Sequence, residues 1–73
     1  MYHPWTAILA RQVAPGDCVM LATEDGWHPR MVRAVIPHGD VVHVWLYGVR
    51  TAADPDPDPE HVVLGADTDV EVC

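Results

Sequence analysis

The chain contains no lysine and no serine, only four basic residues, all of them arginine, and two cysteines. Without serine or lysine, the usual serine and amine nucleophiles are missing, and enzymatic chemistry would have to rest on a cysteine or on paired acids. Two cysteines, Cys18 and Cys73, are too few for a disulfide framework, and neither sits in a C-x-x-C. Both are therefore read as free thiols, Cys18 as a small buried hydrophobe and Cys73 as a mobile final residue. No apolar run approaches the length of a membrane span. The opening Met1-Tyr2-His3-Pro4-Trp5 lacks the basic and then apolar pattern of a secretion signal, so a cytoplasmic location is expected.

Base is also scarce relative to acid. The formal charge is -7, and it is unevenly placed. Up to Arg50, Asp17, Glu24, Asp25 and Asp40 balance the four arginines, while Asp54, Asp56, Asp58, Glu60, Asp67, Asp69 and Glu71 follow with no basic residue among them. This end repels phosphate backbones and attracts cationic partners, which disfavours nucleic acid as a ligand. The use of arginine as the sole strong base, beside abundant Ala, Val, Asp and Pro, points to a GC-rich genome.

What is present is a pattern of short strands. Seventy-three residues, 49% hydrophobic, suffice for one small domain of modest stability. Turn signals at Pro15-Gly16-Asp17, Asp25-Gly26, His38-Gly39-Asp40, Gly48 and Gly65 separate β-branched runs, and five or six strands are expected. The first spans about Ala7 to Val13 and ends at Pro15-Gly16, where proline presets φ and glycine accepts the positive φ of a type II turn. Cys18-Val19-Met20-Leu21-Ala22 is apolar on both faces, as in a curved strand with core on each side.

A third strand, about Arg30 to Ile36, is expected to point Val32, Ala34 and Ile36 inward and Met31, Arg33 and Val35 outward. After a hairpin at His38-Gly39-Asp40, Val41 to Tyr47 should place Val42, Val44 and Leu46 in the core. Residues 49–60 form an acidic, proline-rich loop in which three prolines disfavour helix, so it is expected to be extended and solvated. Strands near His61-Val62-Val63-Leu64 and Asp69-Val70-Glu71-Val72 complete the chain, with a 3₁₀ turn expected at Ala66-Asp67-Thr68.

Val13-Ala14-Pro15-Gly16-Asp17-Cys18-Val19, the strand Arg30-Met31-Val32-Arg33-Ala34-Val35 with its hairpin partner, and the closing Asp69-Val70-Glu71-Val72 resemble a small SH3-like β-barrel. The likeness runs from about Ile8 to Val72. In particular it resembles uncharacterised barrel proteins of actinobacteria and their phages, in which a Pro-Gly-Asp turn precedes the second strand and a Val-x-Val pair ends the fold. The resemblance implies an all-β, five- to six-stranded SH3-like barrel and leaves activity open. KOW barrels that bind RNA have basic loops, whereas the loops here are neutral or acidic. A Tudor-like aromatic cage would have to draw on Trp27, Trp45 and Tyr47.

The main candidate site is the outward face Arg33, His43, Trp45 and Tyr47, joined by Trp27, because neighbouring strands bring such side chains together and these residue types anchor interfaces. The same aromatics also serve simply to cover the second side of a curved sheet, with Tyr2 and Trp5 as the expected cover. Five histidines lack the short paired spacing of a zinc site, so no metal is expected, although His38 and His43 approach across their hairpin. Asp54-Pro55-Asp56-Pro57-Asp58-Pro59-Glu60 copies the opening of a calcium loop, but Pro59 and Gly65 stand where glycine and a bidentate acid are required. Asp54, Asp56, Asp58 and Glu60 are thus read as a solvated linker or a docking strip for a basic partner. No catalytic residue and no cofactor is expected.

The function expected is a non-catalytic protein-interaction module, of a kind a phage encodes to act on a host bacterial protein. Its alternatives are an acidic decoy of nucleic acid, or a weak nucleic-acid-binding barrel using Arg30, Arg33 and Arg50. An unpaired edge and surface aromatics also allow a homo-oligomer.

Overall fold

The computed structural model describes residues 6–73. The strands are β1 Thr6–Leu9, β2 Cys18–Thr23, β3 Gly26–His38, β4 Val41–Leu46, β5 Glu60–Gly65 and β6 Asp69–Val72. They form one antiparallel sheet in the order β1-β6-β2-β3-β4-β5, with no α-helix among the described residues. Among the described residues the sheet has two ends, β1 and β5, that no strand pairing joins. The all-β expectation holds at this level, and the strand count is the upper of the two expected.

The first strand is shorter than its apolar run. It stops at Leu9 because Ala10–Gln12 turns as a 3₁₀ helix, with the Leu9 N–H donating to Gln12 Oε1 at 2.9 Å. That turn drops Ala10 and Val13 into the core, and the N–H groups of Ala10 and Arg11 donate to the carbonyls of Thr68 and Ala66. Ala66-Asp67-Thr68, expected to hold the 3₁₀ turn, is a plain turn instead. At Pro15-Gly16 the expected geometry is present. The Asp17 N–H donates to the Ala14 carbonyl at 3.1 Å, Gly16 has φ +92°, and Asp17 Oδ2 accepts from the Ala14 N–H. A Cβ at Gly16 would touch nothing within 4 Å, so Gly16→Ala strains the backbone alone. We expect it to lower unfolding free energy by about 1 kcal/mol in a urea titration.

Strand β3 is longer than expected, 13 residues, and it carries the main departure from simple alternation. Val32 pairs with Leu46, but Ala34 pairs with Trp45, so two residues of β3, Arg33 and Ala34, oppose one of β4. This bulge reverses which side chains face inward. Val32 remains core, but beyond Arg33 it is Val35, paired with Val44, that packs on the core, and Ile36 is 56% exposed. The inward assignment of Ala34 and Ile36 is thereby corrected. A period-two reading carries parity straight through an inserted residue that the chain itself does not mark.

Val42, Val44 and Leu46 are fully buried, as their alternation requires, and pack with Val19, Val32 and Val70. Val19 and Met20 are both buried although adjacent in β2, so both of its faces are covered, but only Val19 belongs to the core cluster, while Met20 lies against the Cys73 sulfur. The two cysteines are not free. Cys18 and Cys73 form a disulfide, with Cα atoms 5.3 Å apart. Register produces it: Val19 faces Val72, and the Cys73 N–H donates to the Cys18 carbonyl at 2.9 Å, which sets the two residues side by side at the β2–β6 seam. The last residue is therefore tethered rather than loose, with its sulfur 3.4 Å from Met20 Sδ. Spacing in sequence, 55 residues apart, carries no trace of that adjacency.

Candidate functional site: the outer face of β3, β4 and β5

Beyond the bulge, pairing fixes which side chains share the solvent side. Ala34 and His61 flank Trp45, and Ile36 and Val63 flank His43. His38 and Val41 continue this face at the hairpin end. No carboxylate and no arginine occupies these outward positions. Ile36, Val63 and, just past β4, Tyr47 are each more than half exposed. In a chain of charge -7, this is a surface of aromatic, imidazole and aliphatic side chains.

Its centre is a row of rings. Trp45 and His61, direct register partners, have ring centroids 4.6 Å apart and planes within 13°. His43 lies 6.1 Å from Trp45 and 5.1 Å from His61, again nearly parallel. Nδ1 of His43 and Nε2 of His61 are 2.9 Å apart, so one ring donates its N–H to the bare nitrogen of the other. His38 meets His43 edge-on at 6.3 Å, the approach expected from their hairpin. His61 was not among the expected face residues. It enters because β5 pairs with β4 in a register that only the folded sheet specifies.

Other expected members sit elsewhere along the sheet. Trp27 pairs with Ala22 beside the β2–β3 turn, near the opposite end of β3 from Ala34, Trp45's own partner. Arg33 is exposed at the bulge, beside the row rather than in it. The suggestion that Tyr2 and Trp5 cover the face concerns residues outside those described.

The acidic segment is bent where an extended linker was expected. Thr51 and Asp54 close a turn, the Thr51 N–H donating to the Asp54 carbonyl and the Asp54 N–H to Thr51 Oγ1. Pro57 then seats on Gly48, so closely that a Cβ there would lie 2.6 Å from Pro57 Cγ. Proline rings without N–H groups disfavour helix but do not forbid a bend stabilised by packing. Asp54, Asp56 and Asp58 are exposed. Glu60 is set apart from them: Arg30 Nη1 binds its Oε2 at 2.7 Å, while Arg30 Nη2 donates to the Tyr47 carbonyl at 3.0 Å. Likewise Arg11 pairs with Asp67.

Among the described residues there is no enclosed pocket, and no three His, Cys, Asp or Glu side chains converge as a metal site. No described helix is long and apolar enough to cross a membrane. The chain matches no protein family, no curated protein and no solved structure.

Proposed function

We propose that this protein is a non-catalytic interaction module that binds a protein partner through the outer face of β3, β4 and β5. One observation carries the reading: the exposed Ile36, Tyr47 and Val63 surround the ring row His43, Trp45 and His61 with no carboxylate or arginine among the outward positions. Burying such a face removes apolar area from water without stranding an ion, and Trp and Tyr contribute disproportionately at interfaces. The expected anchors on this reading are Trp45, Tyr47 and His43, with Arg33 at the rim.

We further propose that the sheet is an opened SH3-like barrel, a reading supported by the Pro15-Gly16-Asp17 turn before the second strand, and that it is of the type carried by actinobacteria and their phages and acts on a host bacterial protein. The cytoplasmic location expected from the sequence belongs to the same proposal; the Cys18–Cys73 bond neither supports nor opposes it. An acidic decoy is less well supported, because Glu60 and Asp67 already serve as partners of Arg30 and Arg11. Direct nucleic-acid binding loses Arg30 for the same reason, its side chain being only 15% exposed.

Trp45→Ala should abolish recovery of the partner from an actinobacterial lysate while leaving the unfolding midpoint within a few degrees of wild type. Identical sets of captured proteins for wild type and variant would remove this face from consideration.

A further inference from the structure

Strand β5 ends the sheet on the side of the proposed face, and among the described residues its outer edge has no strand partner. Proteins ordinarily guard such an edge with lysine, an interior proline or a bulge. β5 has none of these: after Glu60 it reads His61-Val62-Val63-Leu64-Gly65, and its pairing with β4 is regular from end to end. An exposed Val63 and His61 stand on its outward side. Immediately before it, Asp54, Asp56 and Asp58 are exposed and make no ion pair among the described residues, in contrast to Glu60 and Asp67. Pro57 packed on Gly48 holds this acidic stretch beside the end of β4, next to the start of β5.

Resting on the interaction-module reading above, we infer that the partner supplies a cationic extended segment, which adds to the free edge of β5 as an antiparallel seventh strand. Backbone hydrogen bonds to β5 provide the attachment, and every second side chain of the added strand lies on the ring-bearing face beside His61 and Val63. In the antiparallel sense its C-terminal end reaches the start of β5, where arginines or lysines meet Asp54, Asp56 and Asp58. Charge selects this occupant over a second copy: two chains of -7 repel, whereas a basic segment is drawn to the three unneutralised acids at the start of β5.

The test uses the full chain and a synthetic peptide of alternating threonine and valine ending in three arginines. Three further reagents accompany it: the same peptide N-methylated at alternate backbone positions, the peptide with its arginines moved to the N-terminus, and an Asp54→Asn/Asp56→Asn/Asp58→Asn variant. Binding is followed by titration at low salt, and amide hydrogen exchange reports on β5. The expected result is binding that slows exchange in residues 60–65 and weakens about ten-fold in the triple variant. It should also weaken with the arginines reversed and disappear on N-methylation. Equal binding of the N-methylated peptide would show attraction by charge alone and overturn strand addition. No binding of any peptide, with Trp45→Ala still losing its captured partner, would overturn the inference and leave the interaction module standing. No peptide binding together with unchanged capture by Trp45→Ala would remove both, and a doubled solution mass with β5 amides protected in the free protein would assign the edge to a second copy instead.

Discussion

Replacing both cysteines, as Cys18→Ala with Cys73→Ala, is expected to lower the free energy of unfolding by about 4 kcal/mol, and reduction of the wild-type bond should do the same. The cross-link closes a loop between residues 55 apart, and a constraint of that span removes about this much entropy from the unfolded ensemble in the chain-entropy account. For a chain whose core is a handful of valines and one leucine, that is a large share of a typical small-domain stability of about 5 kcal/mol. Urea unfolding of the oxidised protein, the reduced protein and the double variant would measure it. A change under about 1 kcal/mol would mean that the bond is not formed, or that the unfolded chain already holds its ends together.

The second large effect concerns Leu46, the bulkiest fully buried side chain, paired with Val32 on one side and Glu60 on the other. Leu46→Ala should cost about 3 kcal/mol, the sum of lost apolar transfer and an unfilled cavity at a point where three strands meet. Ile36→Ala supplies the contrast. Exposed beyond the bulge, it should change stability by only about 0.5 kcal/mol. Were β3 to alternate without interruption, Ile36 would face the core and the two substitutions would cost similar amounts, so the pair of denaturation curves reads out the bulge directly.

That contrast also marks how far the amino-acid pattern reaches. Val42, Val44 and Leu46 are legible as core because strand β4 is unbroken and its alternation is strict. The Pro15-Gly16-Asp17 turn is legible because only glycine adopts a φ of +92° without strain. Local chemistry of this kind survives folding unchanged. The inward residues of β3 beyond Val32 were not legible, since a bulge is set by how two strands accommodate each other's twist. Nor was the disulfide, whose cysteines meet through the β2–β6 seam. The candidate face was half legible: His43, Trp45 and Tyr47 follow from β4 alone, while His61, Val63 and Ile36 join through pairing across strands. Trp27, grouped with them on residue type, belongs to another turn of the sheet.

The extra residue at Arg33 has a bearing on how relatives of this chain are to be matched to it. A homologue lacking that insertion would show the same run of valines and alanines and would superimpose on paper with no gap. Every position from Ala34 to His38 would then be equated with a neighbour on the other side of the sheet, and surface substitutions would be mistaken for core ones. Placing a one-residue gap at position 33 restores the correspondence, and with it the distinction between sites that vary because they face water and sites held fixed by packing.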